Sequence, residues 1–295
     1  MNSLEQKFVL AILLTIPSAV FSDTLGYSIA SSNNNLYQID LSNGMAANLG
    51  AINTDAVLGG IAASGSTLYA VSTSDNGNLP SQLYNVTTPP GSLVGETGPR
   101  FGGTTGAAYR SQDGYIYDLQ GSPSLTAGAS QSALYQINPS TGKSTPLGSS
   151  NTYANGLAFT NNGVGYATDF QQSGSLYRVS LNPYSLILVG GFGLGIGGTG
   201  FGSGAAFDPS TGALYVLRED GAIFTVATSG PNAGAATFDS FVTDSGTDTR
   251  VASSLEGLAI SGSTSSATPE PASLLLLVSG FLLLTFYLRK CSASN

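Results

Sequence analysis

Short segments of alternating apolar and polar residues recur along the chain, separated by turns rich in Gly, Asn, Asp, Pro and Ser. Their two-residue period is that of half-buried β-strands. Turn sequences such as "NPSTG" and "DPSTG" place Pro and Gly where hairpins need them. The pattern therefore predicts an all-β body.

One five-residue motif returns five times at a nearly constant interval. It reads GIAAS, GAAYR, GLAFT, GAAFD and GLAIS, with spacings of 46, 50, 48 and 53 residues, and it begins at Gly60, Gly106, Gly156, Gly204 and Gly257. After each of the first four motifs come two apolar–aromatic pairs, a turn and a short apolar segment, so each unit holds about four strands. This period and strand count are typical of a β-propeller blade.

The two ends of the body complement one another. Residues 257–260 supply a first strand without later strands, whereas residues 25–52 supply later strands without a first one. Joined, they make one complete blade, which closes a ring and removes exposed sheet edges. We therefore predict a five-bladed β-propeller, with four whole blades and one shared between the N- and C-terminal strands. A β-sandwich or a parallel β-helix is the alternative, and neither would require complementary ends.

The N-terminal segment indicates export. Lys7 precedes a short apolar run, Phe8–Ile16, and the small residues after it fit a signal peptidase. We predict a secretory signal peptide over residues 1–22 that is cleaved after Ser22. The body, residues 23–262, then folds outside the cytoplasm.

The C-terminal segment joins an uncharged apolar run to a basic end. Ala272–Leu288 has 17 residues, at the short end for a transmembrane helix, and Arg289 and Lys290 keep its far end cytoplasmic. Pro269-Glu270-Pro271 precedes it and is predicted to be an extended, accessible strap. The Ser/Thr-rich residues 263–268 form a flexible linker to the body.

This tail resembles the PEP-CTERM sorting signal, which has a Pro-Glu-Pro tripeptide, an apolar helix and a short basic end in that order. The resemblance covers only residues 269–295, and the final CSASN is longer and less basic than usual. It implies that exosortase, a membrane-embedded cysteine transpeptidase of Gram-negative bacteria, recognises Pro269-Glu270-Pro271 and removes the helix. The resemblance also implies transfer to the cell surface or extracellular matrix, since the family is linked to exopolysaccharide and biofilm producers.

Composition narrows the chemistry of the body. Residues 23–268 contain 15 acidic and 6 basic residues, a net charge of −9, so nucleic acid is not an expected partner. The chain has no His, and its one Cys, Cys291, lies beyond the apolar run. An intrachain disulfide, a Ser-His-Asp triad and the usual zinc and copper sites are therefore excluded. We predict no metal and no cofactor.

The candidate ligand-binding residues lie in the loops before each first strand, which converge on one face of a propeller. They combine carboxylates, an amide, arginines and aromatic rings, as carbohydrate-binding surfaces do: Asp55, Arg100, Phe101, Tyr153, Asn155, Arg250 and Glu256. The sequence thus favours a noncatalytic binding or structural protein whose partner is extracellular polysaccharide or another surface protein. The plainer interpretation is that these are solvated connecting loops.

An enzyme is the alternative from a different functional class. A secreted polysaccharide hydrolase or lyase would need two placed carboxylates. The candidates in loops or at strand starts are Asp55, Asp169, Glu219 and Glu256. No spacing in the sequence marks any two of them as partners.

Overall fold

The computed structural model describes residues 24–73, 81–98, 104–121, 131–193, 195–196, 202–251 and 254–261. The predicted signal peptide, linker, tripeptide, apolar helix and basic end lie outside these ranges, as do Arg100 and Phe101. Every element named within these ranges is a β-strand, which confirms the all-β prediction. No helix in the described part of the chain is long and apolar enough to cross a membrane.

Five sheets form the five blades, and the prediction of a five-bladed propeller is confirmed. Blade one contains, from the centre outward, β21 (Leu255–Ile260), β1 (Leu25–Ala30), β2 (Asn35–Asp40), β3 (Met45–Ala51) and β20 (Thr243–Asp244). Blade two contains β4 (Leu58–Ser64), β5 (Thr67–Ser72), β6 (Gln82–Asn85) and β7 (Ser92–Glu96). Blade three contains β8 (Thr104–Arg110), β9 (Tyr115–Gly121), β10 (Ser132–Ile137) and β11 (Ser144–Ser150). Blade four contains β12 (Gly156–Phe159), β13 (Gly165–Asp169), β14 (Ser175–Leu181) and β15 (Tyr184–Gly191), and blade five β16 (Ser203–Phe207), β17 (Leu214–Arg218), β18 (Ala222–Val226) and β19 (Ala236–Phe241).

The chain closes its ring in blade one. The C-terminal strand β21 pairs antiparallel with the N-terminal strand β1, which places Gly26 opposite Ile260 and Ala30 opposite Leu255. This confirms that the two ends share a blade. Because neither end can complete a sheet alone, closure ties the stability of the first strand to that of the last.

The repeated glycine lies where neighbouring innermost strands touch around the axis. A Cβ atom on Gly204 would overlap the main chain of Gly257, and one on Gly257 would lie 2.7 Å from the amide nitrogen of Ile61. Gly106 meets the main chain of Asn155 in the same way. The motif therefore requires glycine because the innermost strands approach too closely for a side chain.

The hydrophobic core consists of layers between adjacent blades, and the leucine–tyrosine pairs alternate between them. Leu36 packs in the layer between blades one and two, whereas its neighbour Tyr37 packs in the layer between blades one and five. Leu176 and Tyr177 divide in the same manner on blade four. Successive side chains of a strand point to opposite faces of its sheet, so each pair stabilises both neighbouring interfaces.

Each outermost hairpin contains a β-bulge beside the next blade. The pairing of β2 with β3, for example, shifts by one residue so that Leu36 lies opposite Gly50 and Tyr37 opposite Asn48. Gly50, which follows the bulged residue Leu49, packs against Pro89 from the outer turn of blade two. Bulges increase local strand twist, which helps a four-stranded blade to follow the ring.

Candidate functional site

The ring has two mouths, which differ in chemistry. The upper face is the end at which the innermost strands β4, β8, β12, β16 and β21 begin, and the lower face is the end at which they finish. The loops that the sequence predicted to bind a ligand lie at the upper face. The described residues place Asp55, Tyr153, Asn155, Arg250 and Glu256 there in very different environments.

Only some of these side chains are accessible. Asp55 is exposed, whereas Tyr153 is 2% exposed and Asn155 is fully buried. The hydroxyl of Tyr153 donates to the side chain of Gln171, and Asn155 accepts a 3.4 Å bond from the Ser203 hydroxyl. Tyr153 and Asn155 therefore support the upper face from inside.

Arg250 is accessible but already engaged. Its guanidinium lies 3.1 Å from a carboxylate oxygen of Asp220 and donates to the main-chain carbonyl of the same residue. It also lies 3.7 Å from the ring centroid of Phe241, a cation–π geometry. These contacts hold Arg250 at the boundary of blades five and one.

The structure brings two of the candidate carboxylates together. Glu219 follows β17, and its main chain bonds to Gly202 (2.9 Å) and to the amide of Leu255 (3.1 Å). Its carboxylate accepts a 2.9 Å bond from the Gly202 amide. Glu256 comes directly after Leu255, so the two glutamates meet at the seam between blades five and one.

The surroundings of Glu256 shift the pKa of its carboxyl group. Burial, and then the negative charge of Glu219, raise the pKa of Glu256 to about 8. At neutral pH Glu256 is therefore mostly protonated beside a charged carboxylate. The pair can offer a hydrogen-bond donor and an acceptor side by side.

A β-bulge in the closing blade determines where Glu256 lies. The pairing of β1 with β21 shifts between Tyr27 and Ile29, and Gly257 adopts a φ of 65°. The buried Ser28 hydroxyl, which sits in the shift, bonds to the carbonyl oxygens of Glu256 (3.1 Å) and Gly257 (2.8 Å). Bulges commonly re-aim a side chain in this way.

Buried neutral polar groups lie beneath the upper mouth, next to the glutamates. Asn155, Ser203 and Glu256 each precede the motif glycine of their blade, so they occupy equivalent places around the axis. The hydroxyls of Ser203 and Thr168 lie 3.0 Å apart. The sequence could have indicated this set, because a polar residue stands before the glycine in several repeats.

Asp169 does not join the pair. It is 1% exposed, and its carboxylate accepts hydrogen bonds from the amides of Gln172 (2.8 Å) and Ser173 (2.6 Å). These contacts hold the turn between β13 and β14, a common use of aspartate. No group of three or more Asp, Glu, Cys or His side chains within the described ranges could hold a metal ion.

The lower mouth is apolar, and the sequence reasoning did not single it out. A cavity of about 60 Å³ is walled by the motif alanines, with Tyr109, Phe159, Phe207 and Ile260 at the ends of four innermost strands. Both ends of the described chain lie on this side. Thr24 donates to Asp208, which directly follows β16, with a 2.9 Å bond, and β21 finishes here at Ile260.

A buried carboxyl in blade three was also missed. Asp118 on β9 is fully buried; one of its oxygens has no hydrogen-bond partner, and the other is 3.3 Å from the Gln120 amide nitrogen. Burial raises its pKa to about 7. The register of the blades places Ala70 and Ala167 at the equivalent position, so comparison of the repeats could have revealed an acid in an apolar place.

Comparison with known proteins gives likeness of fold only. No protein-family model matches the chain, and no curated protein matches it either. Similar solved structures include the PQQ-bound aldose sugar dehydrogenase from Streptomyces coelicolor, with 16% identity, 80% of this chain and 81% of that chain covered, and a TM-score of 0.45. An engineered GH43 glycoside hydrolase shares 12% identity over 63% of this chain and 41% of that chain, with a TM-score of 0.48. A protein of unknown function from Bacteroides caccae shares 11% identity over 73% of each chain, with a TM-score of 0.44. All three TM-scores are below 0.5, so these similarities carry no argument about function.

Proposed function

We propose that this protein is an exported, surface-sorted propeller that binds a polysaccharide of the extracellular matrix through its upper face, without catalysis. In this proposal exosortase recognises Pro269-Glu270-Pro271 and removes the following apolar helix in a Gram-negative host. The signal peptide and the PEP-CTERM-like tail support the location. The polar upper mouth supports the binding role.

The observation that carries the proposal is the placement of the first and last described residues of the propeller. The described chain begins at Thr24 and finishes at Ser261, both on the lower face. The linker and sorting tail continue from Ser261. The upper mouth, with Glu219 and Glu256, is at the end of the ring opposite Ser261, and in this proposal it is the face that meets a polymer.

The chemistry of the upper mouth favours a neutral, hydroxyl-rich ligand. The body carries 15 acidic against 6 basic residues between positions 23 and 268, so it repels polyanions. A sugar hydroxyl both donates and accepts hydrogen bonds. Protonated Glu256 offers the matching hydrogen-bond donor, and the Glu219 carboxylate offers the matching acceptor.

A hydrolase is the second candidate, and one observation favours it. Glycoside hydrolases use two carboxyl groups, of which the general acid has a raised pKa. Glu256, with a pKa of about 8, and Glu219 fit these two roles. In this alternative Glu256 would protonate the leaving oxygen while Glu219 acted as base or nucleophile.

One set of variants distinguishes the two functions. The purified protein is mixed with the producing strain's own exopolysaccharide, and both co-sedimentation and new reducing ends are measured. The binding proposal expects co-sedimentation without new ends, and at least a tenfold weaker interaction for Glu256→Ala and Glu219→Gln. Glu256→Gln keeps a neutral hydrogen-bond donor at this position and should still bind. Asp239→Asn, an exposed carboxylate on β19 away from the mouth, is the matched control.

New reducing ends that disappear in Glu256→Gln would replace the binder with the enzyme. Unchanged binding in both Glu256→Ala and Glu219→Gln would show that the upper mouth is neither the binding site nor the active site.

A further inference from the structure

The outer edges of the blades are protected in four cases out of five. The short strand β20 covers the edge of β3, and Pro146 removes an N–H group from β11. Glu96 and Asp239 put exposed charges on β7 and β19. Charge, proline and a covering strand are the usual means by which proteins prevent edge-to-edge pairing.

The edge strand of blade four has none of these protections. β15 reads YSLILVGG, eight residues without charge or proline. Its Leu188 (63%) and Ile187 (57%) are the most exposed large hydrophobic side chains of the described residues. Between Ser185 and Val189, no backbone hydrogen bond joins β15 to any described residue outside β14.

Charge around this strand permits two copies to approach. Arg178, opposite Ile187 on β14, is exposed, and its side chain makes no ion pair or hydrogen bond with another described residue. No acidic residue occurs on either strand. The body as a whole is strongly acidic, so most other contacts between two copies would bring carboxylates together.

We propose that two copies of this protein pair antiparallel through β15. The sequence around Ile187 is Leu-Ile-Leu, so a two-fold axis at Ile187 places Ile187 opposite itself and Leu186 opposite Leu188 of the second copy. The two sheets then form one eight-stranded sheet. The two Arg178 side chains are three strand spacings apart, about 14 Å, beyond the Debye length of about 8 Å.

Sedimentation equilibrium of the full-length protein in density-matched detergent tests this pairing. We expect a dimer for the wild type. Ile187→Lys and Ile187→Glu should each weaken dimerisation at least tenfold, because like charges then lie directly opposite. An equimolar mixture of the two variants should recover the dimer. Leu93→Lys on β7, which is 55% exposed and on an edge that already has Glu96, is the matched control and should leave the dimer intact.

Four results would overturn the proposal. A wild-type monomer up to about 100 μM, where a specific contact of this kind is populated, contradicts the pairing itself. A dimer that survives both Ile187 variants lies on another surface. Loss of the dimer in Leu93→Lys, or failure of the mixture to recover it, contradicts self-pairing about Ile187.

Discussion

Replacing Asp118 with alanine should stabilise the propeller above neutral pH. In the folded protein burial raises the pKa of Asp118 from 3.8 to about 7. The folded state therefore binds the proton more tightly than the unfolded state, and stability falls as the pH rises from about 4 to about 7. Each pKa unit corresponds to about 1.4 kcal/mol, so ionisation in this site costs about 4 kcal/mol at pH 8.

Alanine removes that cost and introduces a smaller one. Gln120 loses its acceptor and a small cavity remains, together about 2 kcal/mol. The free energy of unfolding of Asp118→Ala should therefore exceed that of the wild type by about 2 kcal/mol at pH 8. At pH 4 the carboxyl is neutral, so the variant should be no more stable than the wild type.

Urea titrations at pH 4, 6 and 8 measure this difference. The chain has 14 Tyr and no Trp, so tyrosine fluorescence follows unfolding. Asp118→Asn is the near-isosteric comparison, and Asp239→Ala, which removes an exposed carboxylate on β19, is the control. Parallel stability curves for wild type and Asp118→Ala between pH 4 and 8 would refute the reasoning.

Two other substitutions test the ring and the tail. Gly204→Ala should lower the free energy of unfolding by about 3 kcal/mol, because its Cβ meets the main chain of Gly257; Gly191→Ala, whose Cβ would contact only one atom at 3.7 Å, is the control. Urea denaturation measures both, and a Gly204→Ala midpoint equal to that of the wild type would contradict the close approach. Glu270→Ala should keep the protein in the membrane fraction of a host with exosortase, whereas the wild type is released; equal release on fractionation would contradict recognition of the tripeptide.

The candidate site could be predicted only in part. The innermost strands all begin on one face, as the repeat indicated, and the described candidate residues lie at that face. Which side chains would be accessible did not follow, because Tyr153 and Asn155 turn inward between strands of the ring. The residues of the predicted signal peptide and sorting tail lie outside the described ranges, so those predictions remain predictions.

The sequence by itself determined the number of blades and the closure of the ring. Both are properties of a one-dimensional pattern: five glycine motifs recur at a steady interval, and residues 25–52 lack the first strand that residues 257–260 provide. The recurring apolar–aromatic pairs also predicted about four strands for each blade. Because side chains alternate along a strand with a fixed two-residue period, these features can be predicted from the sequence without knowledge of the tertiary contacts.

Only the tertiary structure decided which residues act together. Glu219 and Glu256 are on different blades, and they meet because ring closure and the bulge at Gly257 bring their loops to one seam. The exposure of Ile187 likewise depends on what the neighbouring blade covers. Proximity between blades and access to water are properties of the assembled ring, which no local pattern in the chain encodes.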